Sequence, residues 1–68
     1  MAKDIIYKET EPVIVDIEIE RNSPEDFTVR RTENGIQVNH INFFLPRNPD
    51  EEEQSYIDRA IGEGLMAI

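Results

Sequence analysis

The chain has 68 residues, no cysteine, and fifteen acidic against seven basic side chains, for a formal charge of −8. That length makes one small domain near the lower size at which chains fold unaided. The absence of cysteine excludes disulfides and thiolate metal sites, and the charge repels nucleic acid and anionic membranes while favouring basic partners.

A hydrophobic content of 38%, arranged periodically, argues against intrinsic disorder. The start, Met1-Ala2-Lys3-Asp4-Ile5-Ile6-Tyr7-Lys8, places only three apolar residues together, too few for an export signal. No apolar stretch approaches the roughly 20 residues of a membrane-spanning helix. The expected location is therefore the cytoplasm.

In chain order, residues 1–12 read two ways. Ile5-Ile6-Tyr7 can form a short extra strand, whereas the polar run that follows ends in Pro12, suited to a strand start or edge. Residues 13–20 are unambiguous. Val13, Val15, Ile17 and Ile19 alternate with Ile14, Asp16, Glu18 and Glu20, the pattern of a half-buried strand with an acidic open face. Asn22-Ser23-Pro24-Glu25-Asp26 reads as a turn, with Pro24 presetting φ.

Residues 27–33 and 36–45 flank Asn34-Gly35, the dipeptide of a two-residue type I′ hairpin. That turn predicts Arg31 opposite Val38 and Val29 opposite His40. The apolar parity then changes, from Ile36 and Val38 to Ile41, Phe43 and Leu45, which predicts a β-bulge near Asn39 or His40. After Pro46, Asn48-Pro49-Asp50-Glu51 has the order of a helix N-terminus: N-cap, N1 proline, and a capping-box glutamate at N3. Tyr56, Ile57, Ala60, Ile61, Leu65 and Ile68 then recur at helical spacing. Gly62 and Gly64 predict fraying near position 62, leaving an apolar tail.

The expected fold is a single α+β domain over residues 1–68. It is a three-stranded antiparallel β-meander, with room for a short fourth N-terminal strand, packed by one C-terminal helix. The expected core comprises Val13, Val15, Ile17, Ile19, Phe27, Val29, Ile36, Val38, Ile41, Phe43, Tyr56, Ile57, Ile61 and Leu65.

The inventory for catalysis is nearly empty, with one histidine and two serines. Ser23 adjoins a turn proline and Ser55 sits beside an apolar helix stripe, so neither pairs with His40 as nucleophile and base. The glycines lack the strand–loop–helix context of a phosphate-binding loop. Asp16, Glu18 and Glu20 recur at about 7 Å along a strand, too far apart to chelate one ion. The run Asp50, Glu51, Glu52 and Glu53 lacks the alternating ligands and central glycine of a calcium loop. No enzyme activity, metal or other cofactor is expected. Nor is direct nucleic-acid binding, since Lys3, Lys8, Arg21, Arg30, Arg31, Arg47 and Arg59 are scattered and outnumbered, and Arg30 is placed to pair with Glu18 or its neighbours.

What remains is acid and surplus hydrophobe. The function expected is a non-enzymatic acidic binding protein that inhibits or modulates another protein. Its partner-binding residues would be Asp16, Glu18, Glu20, Asp50, Glu51, Glu52 and Glu53, facing a basic surface. In size, charge and lack of a catalytic set the chain looks like the accessory inhibitors that phages encode against host enzymes or defence systems, which would act in the host cytoplasm. The alternative is a small structural or assembly subunit, a homodimer for instance. Its contact would come from Tyr7, Phe44, Leu65, Met66 and Ile68, left over once the core is filled.

Overall fold

The computed structural model describes residues 4–10 and 15–68. It contains four strands, β1 (Asp4–Thr10), β2 (Val15–Ser23), β3 (Asp26–Glu33) and β4 (Ile36–Phe44), and one helix, α1 (Glu53–Met66). The strands form one antiparallel sheet in the order β1-β2-β3-β4, with the helix on one face. This is the expected α+β meander, with the optional N-terminal strand present as seven full residues. Val13 and Ile14, assigned from the sequence to the first long strand, lie outside the described residues.

Pro24 and Glu25 turn the chain between β2 and β3. Asn34 and Gly35 have φ of 55° and 78°, the two positive values that a type I′ turn demands. The bulge in the second hairpin exists, but its extra residue is Val38 rather than Asn39 or His40. Arg31 therefore faces Asn39, and Val29 faces Ile41, one residue on from the register extrapolated from the turn. The earlier bulge brings Ile41 and Phe43 onto the face that carries Val29 and Phe27. It also leaves Ile36 and Val38 beyond the helix, 67% and 48% exposed, so neither belongs to the core. A second bulge, at Ile6, lets Ile5 face Glu20 while Tyr7 faces Ile19.

Ile19, Phe27, Val29, Leu45, Tyr56 and Ala60 are the buried apolar residues. Phe27 stacks on its cross-strand partner Phe43 at 5.4 Å and meets Tyr56 at 5.8 Å in a tilted pair. Ile6, Phe43 and Ile57 close around this cluster. Leu45 and Ala60, which fall on the apolar parity and the helical stripe but not in the expected core, also enter it. Val15, Ile17, Ile41, Ile61 and Leu65 are only half-buried, because a single helix does not cover the whole sheet face.

Two helix boundaries differ from expectation. Helix α1 begins at Glu53, with Glu52 at the N-cap position in extended conformation (φ −71°, ψ 154°) and no side-chain cap. Residues 48–51 form a separate turn in which the Glu51 amide donates to the Asn48 carbonyl and the Glu51 carboxylate accepts from the Asn48 amide. That is half of the anticipated capping box, used to close a turn because Glu51 is also engaged by Arg59. At the other end the helix runs through both glycines to Met66. Gly64 is buried, and a Cβ there would lie 2.8 Å from Ile19 Cδ1, so this glycine permits a close helix–sheet approach.

Candidate functional site

Helix α1 occupies one face of the sheet, and among the described residues no element covers the other. Strand alternation places Asp16, Glu18 and Glu20 on this open face, as the sequence pattern requires, together with Lys8, Asp26, Thr28, Arg30, Thr32, His40, Asn42 and Phe44. Asp16 is exposed, whereas Glu18 and Glu20 are half-buried. The Arg30 guanidinium sits between these two glutamates, 2.9 Å from Glu18 and in contact with Glu20. Lys8 lies directly across from Glu18 on the neighbouring strand. The stripe is therefore less negative than its sequence, and Asp16 is its least compensated member.

Lys8, Thr10, Asp16, Glu18, Arg30 and Thr32 line a shallow depression of about 300 Å³ in this face. At the other end of the face a polar ladder runs across three strands. The Asn22 amide donates to Thr28 Oγ1 at 2.7 Å, and the Thr28 hydroxyl donates to Asn42 Oδ1 at 2.8 Å. Thr28 is buried, and the ladder supplies its hydroxyl with both a donor and an acceptor. His40 is exposed and lies directly across from Arg30 on the neighbouring strand. Among the described residues no group of three or more His, Asp or Glu is placed to hold a metal ion, and no helix is long and apolar enough to cross a membrane.

The second acidic run is organised differently, on the helix side of the sheet. Asp50, Glu52 and Glu53 are exposed and Glu51 is half-buried, but Glu51 and Glu53 are both paired with arginines of the same chain. Arg59 reaches Glu51 at 2.7 Å, while Arg21 and Arg47 both reach Glu53, at 2.6 and 2.7 Å. The guanidinium carbons of Arg21, Arg47 and Arg59 lie 5.4, 5.4 and 5.7 Å from the centre of the Tyr56 ring. Each also donates to a backbone carbonyl: Arg21 to Pro24, Arg47 to Glu51, and Arg59 to Pro46. The sequence reading set these arginines aside as scattered. Their convergence depends on the β2–β3 turn and the 46–52 segment meeting over one ring, and no local pattern encodes that.

This network should be sensitive to acid. The hydrogen bond from Arg59, helped by the Asn48 amide and the charges of Arg59 and Arg47, lowers the Glu51 carboxyl to about 2, and Arg21 likewise lowers Glu53. A carboxyl that is more acidic in the folded state contributes stability that is full above its unfolded pKa, and this contribution is lost as pH falls through the folded pKa. The melting temperature should therefore decline between about pH 4.5 and about 2. Circular-dichroism melts of Glu51→Gln should show a shallower decline over that range. A slope identical to wild type would mean that Arg59 does not hold Glu51 in solution.

The five surplus hydrophobes do not form one patch. Phe44 is 65% exposed on the open face, whereas Tyr7 is half-buried on the helix-bearing face opposite Ile19. Met66 is 82% exposed at the end of α1, with Leu65 and Ile68 half-buried beside it. Ile36 and Val38, assigned to the core from sequence, are additional exposed apolar residues. The Gly35 turn and the bulge phase carried the signal for this, because together they move both residues beyond the helix. Compared with known proteins, the chain matches no family model, no curated protein and no solved structure.

Proposed function

We propose that this protein is a non-enzymatic binding module that inhibits or modulates a partner carrying a basic surface. The observation that carries this reading is the uncovered sheet face. Among the described residues it presents Asp16, Glu18, Glu20 and Asp26 against only Lys8 and Arg30, on a sheet backed by the helix. The ion pairs of Arg30 hold two of the acids in fixed positions, so a partner would meet a patterned surface rather than a diffuse negative one. Of the second acidic run, Asp50 and Glu52 are available to such a partner, while Glu51 and Glu53 are committed to arginines.

Capture from lysate by the wild-type protein, beside an Asp16→Asn/Glu18→Gln/Glu20→Gln variant at low and high salt, tests the proposal. Partners of the acidic face should release as salt rises and bind the folded variant roughly tenfold more weakly, about 1.4 kcal/mol. Equal capture by both proteins would exclude this face. Arg30 loses its counter-charges in the variant, so a small loss of stability should accompany the substitution, measurable by circular dichroism.

A second reading, a small assembly subunit that self-associates through hydrophobes, draws on the exposure of Phe44, Ile36 and Val38 along one strand. Such a contact would be strengthened rather than weakened by salt, because two copies of a −8 chain repel each other.

A further inference from the structure

The two edges of the sheet are unlike. β1 carries Asp4, Lys8 and Glu9 and is interrupted by a bulge at Ile6, both devices that keep an edge from pairing. β4 spans nine residues without a single Asp, Glu, Lys, Arg or Pro, in a chain where 32% of residues are charged. Its bulge falls near its start, so Asn39 to Phe44 runs regularly, and among the described residues nothing pairs with its outer side. Among the described residues, three of the five exposed large hydrophobes, Ile36, Val38 and Phe44, lie on this strand.

We propose that β4 pairs with β4 of a second copy of this chain, making one continuous eight-stranded antiparallel sheet. This rests on the self-association reading and gives it a defined seam. Charge selects the occupant. Two copies of a −8 chain can approach only where neither presents carboxylates, and β4 is the strand that meets this condition. In the order β1-β2-β3-β4-β4-β3-β2-β1 the two acidic β2 strands stand five strand spacings apart, about 24 Å. That exceeds the Debye length of roughly 8–10 Å, so their repulsion is largely screened. The two-fold axis lies normal to the sheet, which puts both helices on the same side and closes the assembly at two copies. Head-to-tail pairing of β4 with β1 would instead set the bulged, charged edge against it and would not close.

Sedimentation velocity of the full chain from micromolar to millimolar concentration, without any other protein, tests the seam. The expected result is a monomer–dimer equilibrium. Val38→Lys/Phe44→Lys should weaken it roughly tenfold or more, while Met66→Ser and Asp16→Asn leave it unchanged. Because the lysine variant could alter folding, amide exchange supplies a second reading on the wild type. The β4 amides should gain protection with concentration, and those of β1 should not. A monomer over the whole range overturns both the seam and the self-association reading. A dimer that survives the lysine pair, depends on Met66, or protects β1 instead overturns the seam alone, and so does growth beyond two copies.

Discussion

Tyr56→Ala should abolish folding at physiological temperature. The ring is fully buried, packs on Phe27, and is the common centre for Arg21, Arg47 and Arg59. Deleting a buried aromatic side chain costs about 3–5 kcal/mol. A domain of this length has a total stability of only roughly 3–10 kcal/mol. The loss would be compounded by three guanidiniums left facing a cavity, and by release of the 46–52 segment that they hold. Tyr56→Phe separates the hydroxyl from the ring. The hydroxyl donates to the Leu45 carbonyl at 2.6 Å, and its loss should cost about 1–1.5 kcal/mol. That corresponds to a melting temperature lower by roughly 4–12 °C. Circular-dichroism melts distinguish the two variants, and a Tyr56→Ala protein that melts within a few degrees of wild type would remove the ring from the centre of the core.

The same region shows where the sequence was legible and where it was not. Alternation along residues 15–20 and the Asn34-Gly35 turn specify strands directly, because side-chain direction and turn type follow from local chemistry. The acidic stripe could be assigned to one face for the same reason, and its pairing with Arg30 followed from cross-strand proximity. Glu51 and Glu53 were assigned to a partner rather than to internal ion pairs because their arginine partners come from three separate places in the chain. Ile36 and Val38 were read as core because a hydrophobic residue of the right parity was assumed to lie under the helix. Parity names the face of a sheet but not how far along that face a helix of 14 residues extends.

Gly64 carries the most direct test of how the helix is seated. Its intrinsic propensity argues for interrupting the helix, yet α1 continues through it because Ile19 and Phe43 occupy the space a side chain would need. Gly64→Val should cost about 1–3 kcal/mol through overpacking, towards the upper end because Ile19 is fully buried and has little room to yield. Gly62 lies two residues earlier in the same helix, exposed, with nothing within 4 Å of a Cβ added there. Gly62→Ala should therefore stabilise the fold by up to about 1 kcal/mol through helix propensity alone. Gly64→Ala falls between them, its gain in propensity set against a contact with the Ile19 side-chain tip at 2.8 Å. Urea titrations of the three variants should order them Gly62→Ala, Gly64→Ala, Gly64→Val from most to least stable. If Gly64→Val were as stable as Gly62→Ala, the helix would not lie against Ile19, and the helix-backed sheet that presents the acidic face would have to be drawn differently.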